Sequence, residues 1–230
     1  MCGRFTLHSS TEQIRRLFRM ADPPEIQPRY NISPSQPLLA VRLSPETGER
    51  EWAFFRWGLV PFWAQDASIG NRMINARAET AASSKAFTHA FQRRRCLIPA
   101  SGFYEWRKVG NQKQPYYIYR KDGRPFALAA LWERNERLEE PIESCTIITT
   151  DANELLKPIH DRMPVILLEE QFEDWLNAPN AQAAQSLLRP CPPDELACHP
   201  ISRMVNQPKN DDPRLLEEVE PVEQSELWDE

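Results

Sequence analysis

The sequence predicts an α+β domain whose core is an antiparallel, barrel-like β-sheet flanked by short helices. Many short runs of β-branched, aromatic and aliphatic residues are separated by Gly, Pro and Asn turns, without the regular strand-helix-strand spacing of a parallel sheet. Hydrophobic residues make up 41% of the 230 residues and charged residues 27%, which is typical of a folded domain with one sizeable core. No Gly-rich phosphate loop is present, so we expect no nucleotide or other cofactor.

The first third of the chain predicts one helix and one hairpin. The helix is expected over 11–20, because a capping box beginning at Ser10 precedes apolar residues at helical spacing. The proline-rich stretch 23–37 predicts an ordered loop. Two runs rich in strand-forming residues, Pro37–Leu43 and 51–57, flank a turn that contains Pro and Gly, and they predict a β-hairpin.

The rest of the chain predicts more strands than helices. A helix is expected over 79–91, where Ala, Ser and Lys are frequent. Four strands follow, linked in part by Gly110-Asn111 and Asp122-Gly123 turns, and we expect them to form an antiparallel meander. These strands span 95–99, 102–107, 115–120 and 126–133. The remaining elements are strands over 144–149 and 164–168, a helical turn over 153–157, and helices over 169–176 and 181–188.

Charge divides the chain into two parts. Residues 211–230 contain nine acidic residues and one basic residue, whereas 1–210 contains 27 basic and 24 acidic residues. The net charge of −5 conceals this division. We therefore expect a mildly basic domain over 1–210 and a flexible acidic tail over 211–230.

Composition also argues against several classes of protein. No apolar run approaches the ~20 residues of a membrane span, and the start of the chain lacks the apolar core of a signal peptide, so we expect a cytoplasmic monomer. The five cysteines are scattered without CxxC spacing, which predicts free thiols. Cys191, Cys198 and His199 fit no standard zinc pattern, so no metal site is expected.

Residue 2 carries the sharpest chemical prediction. Removal of Met1 makes Cys2 the amino terminus, with an amine and a thiol on adjacent carbons. An α-amine is about 10% neutral at neutral pH, so it can attack an aldehyde, and the thiol can then close a five-membered thiazolidine on the resulting imine. A plainer interpretation is that a small residue stands here only to permit removal of the methionine.

Three other segments contain groups that could assist such chemistry. Segment 74–80 contains Asn, Arg and Glu side chains, 101–106 places Glu105 between aromatic residues, and 159–164 contains a His, an Asp and an Arg. Each has a structural alternative: helix-capping residues, a solvent-facing strand carboxylate and a core histidine, respectively.

Together these segments resemble the SRAP family, the SOS-response-associated peptidases that include abasic-site processing proteins. The matching motifs are MCGRF at 1–5, YNISP at 30–34, WGLVP at 57–61, NARAET at 75–80, RCLIP at 95–99, GFYEW at 102–106, HDRMP at 160–164 and the pair Val205-Asn206. The resemblance implies a single fold with a basic channel for single-stranded DNA, leading to a pocket around Cys2. It also implies covalent capture of abasic sites through a thiazolidine.

The resemblance assigns roles to residues around the expected pocket. Cys2 is the nucleophile, and Asn75, Glu105 and His160 surround it. Asn75 is expected to orient the amine or the sugar, since it offers both a donor and an acceptor. Glu105 and His160 are expected to move protons during imine formation and opening of the sugar ring.

A second set of residues is expected to contact the DNA. These residues are Arg4, Arg77, Arg162, Trp63 and Trp106. The arginines would grip phosphates bidentately, with a surface ion pair as the alternative, and the tryptophans would stack on bases, with core packing as the alternative. Lys85 and the three arginines at 93–95 either extend this electrostatic track or form a solvated face.

Two other functions remain open at this point. The first is a peptidase in which the Cys2 thiol attacks a peptide carbonyl and its own amine serves as the base. The second is a non-covalent reader of single-stranded or modified DNA. Self-removal of Met1 by Cys2 and its removal by a housekeeping enzyme are both compatible with the sequence. We expect the partner to be single-stranded DNA containing abasic sites, which would place the protein at the nucleoid when DNA is damaged.

Overall fold

Thirteen strands and five short α-helices form residues 2–221, the part of the chain that the computed structural model describes. The strands are β1 (Phe5–Leu7), β2 (Arg29–Ile32), β3 (Pro37–Leu43), β4 (Arg50–Trp57), β5 (Asn75–Arg77), β6 (Arg95–Ala100), β7 (Gly102–Val109), β8 (Gln112–Arg120), β9 (Phe126–Asn135), β10 (Ile142–Asp151), β11 (Arg162–Pro164), β12 (Ile166–Leu167) and β13 (Leu196–Pro200). The helices are α1 (Thr11–Phe18), α2 (Ala78–Ala81), α3 (Thr88–Arg93), α4 (Phe172–Leu176) and α5 (Ala181–Ser186). Within these described residues, no helix is long and apolar enough to cross a membrane.

Five strands close into a barrel in the order β3, β4, β10, β9, β6 and back to β3. Four of the five pairings are antiparallel, and the β4–β10 pairing is parallel. Every residue of β6 is buried, and so is every residue of β9 except Arg134, because these strands face either the barrel interior or the elements packed outside it. The barrel-like core predicted by the sequence is confirmed.

A second, antiparallel sheet contains five strands in the order β13, β8, β7, β1, β2. Aromatic edge contacts join it to the barrel: Phe5 meets Trp57 with ring centroids 5.4 Å apart, and Phe103 meets Phe126 at 6.4 Å. Because β1 is a central strand of this sheet, the beginning of the chain is fixed between β7 and β2.

The helix predicted over 79–91 is wrong as a single element. The structure has α2 and α3, separated by a turn in which hydroxyl groups compete for backbone carbonyls. Ser83 Oγ donates to the Thr80 carbonyl at 3.3 Å, and Thr88 Oγ1 donates to the Ala82 carbonyl at 2.8 Å. Together with the Ser84 N–H, which donates to the Thr80 carbonyl at 2.8 Å, these bonds stabilise the turn between the two helices.

The predicted meander is also wrong, because only β7 and β8 form a hairpin. Strands β6 and β9 pair with each other in the barrel, and the chain leaves them to build β7 and β8 in the second sheet. Four strands were not predicted: β1, β2 within the expected loop over 23–37, β5 and β13. All four have five residues or fewer, which leaves too little alternation to detect.

The first part of the expected acidic tail is packed on the domain. The Asp211 carboxylate accepts hydrogen bonds from the backbone N–H groups of Tyr30 and Asn31 and an ion pair from Arg29 at 2.7 Å. Leu215 is fully buried. The folded part therefore extends past the expected boundary at 210, since Asp211 satisfies donors at the edge of β2. Residues 222–230 of the expected tail lie outside the described residues.

Candidate active site

The pairing of β1 with β7 places Cys2 beside Glu105. Phe5 lies opposite Phe103, and the Tyr104 N–H donates to the Arg4 carbonyl at 3.0 Å, so the same register continued to Cys2 reaches the segment around Glu105. The Cys2 side chain is fully buried. Burial raises the pKa of the Cys2 thiol far above its ordinary value, and the charge of Glu105 raises it further. The thiol is therefore neutral at physiological pH.

Glu105 is a buried carboxyl group with a changed proton affinity. Its residue is only 2% exposed, between Tyr104 and Trp106 on β7. Burial raises the pKa of Glu105 to about 7, because the charged form loses the stabilisation of water. Both protonation states are therefore populated near neutral pH, as a group that both gives and takes protons requires.

His160 lies in the loop between β10 and β11, and this loop reaches Glu105. The charge of the neighbouring Asp161 is among the influences that raise the Glu105 pKa, which brings the two segments into one site. Burial lowers the pKa of His160, so its ring is neutral at physiological pH. The Nδ1 atom accepts the Arg162 backbone N–H at 2.9 Å.

Asn75 lies on β5, opposite Ile147 of β10. Its Nδ2 donates to the Ile74 carbonyl at 3.0 Å, which fixes the plane of the amide. Its Oδ1 is buried and has no hydrogen-bond partner within residues 2–221. A buried acceptor without a donor is costly in a folded protein, so this oxygen is available to receive a donor from a bound molecule.

The three arginines expected to grip phosphates have different surroundings. Arg4 is half-buried and donates through NH1 to Asn31 Oδ1 and to the Val205 carbonyl, both at 2.7 Å, and it has no carboxylate partner among the described residues. Arg77 is exposed. Arg162, in contrast, is neutralised by a bidentate pair with Glu79, which conflicts with the expected bidentate phosphate grip because the same N–H groups are occupied.

The two tryptophans are both partly buried. Trp106 donates from Nε1 to Asn206 Oδ1 at 2.8 Å, which fixes its ring against the segment that follows β13. Trp63 lies in the excursion between β4 and β5, with Lys85 Nζ 5.4 Å from the centre of its ring. Each keeps part of its surface accessible for stacking.

The arginines at 93–95 do not form a continuous electrostatic track. Arg95 is buried and donates to five backbone carbonyls at the ends of α3 and α4. Arg94 pairs with the buried Glu133. Arg93 is exposed.

One residue of the site was not predicted. Asn31 is fully buried, and its Nδ2 donates to the carbonyls of Val205, Gln207 and Asn210 while its Oδ1 accepts from Arg4. It thereby ties the C-terminal segment to the beginning of the chain. The YNISP motif at 30–34 was the sequence signal that could have indicated this role of Asn31.

No group of three or more His, Cys, Asp or Glu side chains within 2–221 is arranged to hold a metal ion. His199 instead contacts the Leu216 carbonyl at 2.8 Å through its Nε2.

Comparison with known proteins identifies the family of the chain. The family model of the SOS response associated peptidases, SRAP, matches residues 1–208. The chain belongs to the SRAP family. The abasic site processing protein YoqW of Bacillus subtilis is 42% identical to this SRAP chain over 224 residues, covering 94% of the chain and 99% of the relative. YedK of Escherichia coli, also named an abasic site processing protein, is 32% identical over 228 residues, covering 95% and 100%.

A vertebrate relative and a solved structure extend the comparison. The abasic site processing protein HMCES of Gallus gallus is 31% identical to this SRAP chain over 263 residues, covering 96% of the chain and 78% of the relative. A crystal structure of a protein from Bacteroides thetaiotaomicron superposes with a TM-score of 0.83 at 28% identity, covering 95% of this chain and 100% of that one.

Proposed function

We propose that this SRAP chain processes abasic sites in single-stranded DNA by capturing them covalently, through a thiazolidine formed by Cys2 after removal of Met1. The observation that carries the proposal is the meeting of three segments: Cys2 in the segment that precedes β1, Glu105 on β7 and the loop of His160. The names of the curated relatives support the substrate, since each is an abasic site processing protein.

The reaction requires two nucleophiles in sequence. The neutral amine of Cys2 adds to the aldehyde carbon of the opened sugar, and loss of water from the carbinolamine gives an imine. The thiol then adds to the imine carbon and its proton passes to nitrogen, which closes the five-membered ring. The raised pKa of the Cys2 thiol favours this order, because a neutral thiol is a weak competitor for the first attack.

Glu105 and His160 supply the proton transfers. Dehydration of the carbinolamine needs a proton on the departing oxygen, and a carboxyl group with a pKa of about 7 can donate it and take one back in the next step. We assign to His160 the proton transfer to the sugar ring oxygen as the aldehyde opens. Asn75 offers its buried Oδ1 to the Cys2 amine or to a sugar hydroxyl, which orients the attack.

Two features favour binding of DNA to this site. Arg4 has no carboxylate partner among residues 2–221, and Arg77 is exposed on the strand that carries Asn75. Trp106, the residue that follows Glu105 on β7, is partly accessible. Single-stranded DNA binding commonly combines such cations with aromatic faces.

The peptidase alternative is less well supported. A cysteine peptidase depends on a thiolate, which an electropositive environment stabilises. Here burial and the neighbouring Glu105 both raise the pKa of the Cys2 thiol. These surroundings suit an amine-first reaction with an aldehyde better than attack on a peptide carbonyl.

The test uses protein whose amino terminus is Cys2 and a single-stranded oligonucleotide with one abasic site. We expect an adduct that survives heating in denaturant, and no adduct with an otherwise identical oligonucleotide that carries a tetrahydrofuran in place of the aldehyde-forming sugar. Cys2→Ser should form only an imine that must be reduced to survive heating, because oxygen is the weaker ring-closing nucleophile. A heat-stable Cys2→Ser adduct without reduction would contradict the thiazolidine.

The non-covalent reader predicts a different result. It would bind the abasic oligonucleotide and release it completely on denaturation. Cys2→Ala provides the matched control, because it retains the amine and the fold but lacks the thiol. Equal amounts of heat-stable adduct from Cys2→Ala and the unmodified chain would show that the Cys2 thiol is not needed for the adduct.

A further inference from the structure

The hairpin of β7 and β8 carries a group of cations at its turn end. Residues 106–119 contain three basic side chains, Arg107, Lys108 and Lys113, and no acidic one. All three are exposed, and none of them pairs with a carboxylate in the part of the chain that the structure describes. This end of the hairpin is therefore a concentrated positive charge on a chain whose net charge is −5.

The opposite end of β8 has a different arrangement. Arg120 pairs with Asp122 at 2.7 Å and lies 3.5 Å from Glu195, and Arg124 pairs with Asp122 at 2.7 Å. Carboxylates thus neutralise cations at one end of the strand and leave those at the other end without a countercharge.

Lys108 and Lys113 lie directly opposite each other in the register of the hairpin. Like charges at such positions destabilise a sheet, because their side chains begin only about 5 Å apart. A negatively charged group bound between the two ammonium groups would replace this repulsion by attraction. The pair therefore favours a site for an anion.

The lysine pair lies close to the groups proposed to react with the sugar. Lys108 is three residues from Glu105 on β7, which corresponds to about 10 Å along the strand. Burial lowers the pKa of His160, and the charge of Lys113 lowers it further, so this lysine lies near the loop of His160. Because side chains alternate between the two faces of a strand, Lys108 shares a face with the partly accessible Trp106.

We propose that Lys108 and Lys113 bind a phosphate group of the DNA strand beside the abasic site. The two ammonium groups hold the backbone of the strand next to the sugar that Cys2 attacks. The contact is independent of base sequence, since a phosphate carries no information about the base. The inference rests on the proposed function for the presence of DNA at this site, and it adds a contact outside the arginines and tryptophans expected from the sequence.

The test compares Lys113→Glu with Lys121→Glu. Lys121 is exposed and follows the opposite end of β8, so both variants change the net charge equally at the two ends of one strand. The measured quantity is the dissociation constant for an undamaged single-stranded oligonucleotide over a range of salt concentrations. Lys113→Glu places opposite charges across the hairpin, so its melting temperature should equal or exceed that of the unmodified chain. Weaker binding then cannot be attributed to unfolding.

Each phosphate contact on single-stranded DNA contributes about 0.7 to the slope of log affinity against log salt concentration. We expect Lys113→Glu to reduce the magnitude of this slope by about 0.7 relative to Lys121→Glu. At about 0.1 M salt its binding should be about fivefold weaker, the factor that this slope gives over the tenfold range up to about 1 M. Lys113→Arg retains the charge and should retain the slope. Equal slopes and affinities for Lys113→Glu and Lys121→Glu, or a loss in Lys113→Arg as large as in Lys113→Glu, would overturn the proposal.

Shortened DNA locates the contact. Two oligonucleotides carry a tetrahydrofuran in place of the abasic sugar, and one ends directly on its 5′ side and the other directly on its 3′ side. The weaker binding of Lys113→Glu should disappear with one of them, because the strand passes the hairpin on one flank of the lesion. A difference that persists with both, or disappears with both, contradicts a phosphate on one flank.

None of these oligonucleotides can form the aldehyde, so the measurements do not depend on adduct formation. If the unmodified chain forms no adduct with abasic DNA, the proposed covalent capture fails. The lysine contact is decided by the salt dependence and the shortened DNA alone.

Discussion

Ionisation of the buried Glu105 carboxyl group is expected to lower the stability of the fold. Burial raises its pKa from the ordinary 4.5 to about 7, so between these two pH values the folded chain holds a proton that the unfolded chain has released. The free energy of unfolding therefore falls as pH rises through this window, and the loss is complete above neutral pH. At about 1.36 kcal/mol for each pH unit, the loss amounts to about 3 kcal/mol. Because the residue is 2% exposed, solvent screening does not reduce this value appreciably.

Glu105→Gln removes the titration while keeping the shape of the side chain. We expect urea denaturation to give a free energy of unfolding about 3 kcal/mol higher for the variant at about pH 8, and no difference at about pH 4, where both side chains are neutral. The two proteins must carry the same residue at their amino termini. A difference that is independent of pH, or that favours the unmodified chain as pH rises, would refute the reasoning.

The same variant should lose its activity as it gains stability. A carboxamide cannot transfer a proton, so the rate of adduct formation should fall by about a hundredfold or more. Single-stranded DNA binding should be unchanged or slightly tighter, because the substitution removes a negative charge. An undiminished rate would mean that another group performs the dehydration.

Three further substitutions test the packing by urea denaturation near neutral pH. Arg95→Met should lower the free energy of unfolding by about 3 kcal/mol or more, because it removes the donor from five backbone carbonyls, four of them in buried hydrogen bonds. The exposed neighbour Arg93→Met should change it by less than about 0.5 kcal/mol. Gly70→Ala would place a Cβ 2.5 Å from the Gly58 carbonyl oxygen and should cost more than about 2 kcal/mol, whereas Gly48→Ala has open space and should cost only the strain of a positive φ, about 1 kcal/mol. Asp211→Ala should cost about 1–2 kcal/mol by releasing the backbone donors of β2. Equal losses within either matched pair, or a neutral Asp211→Ala, would contradict the contacts described.

Much of the local structure could be predicted because its signals are local. The capping box at Ser10 starts α1, with the Gln13 N–H donating to Ser10 Oγ, and the hairpin of β3 and β4 follows from two strand-forming runs around a turn. The partners of the later strands could not be predicted. Strand β6 is buried on both faces, so its sequence does not distinguish a barrel neighbour from a hairpin neighbour. Its partner is chosen by packing between distant segments.

The sequence by itself determined which chemical groups this protein has: an amine and a thiol on one residue, a carboxyl group between aromatics, and a histidine close to an arginine. Only the tertiary structure decided how each group behaves. The pKa of Glu105 depends on burial by segments far away in the chain, and adjacent arginines differ because one is exposed and another is enclosed by carbonyls. Arg4 and Arg162 are the same residue type, but one retains its charge and the other is neutralised by Glu79 and Asp151. The solvation and the countercharge of a side chain depend on its neighbours in space, so the residue type alone does not determine them.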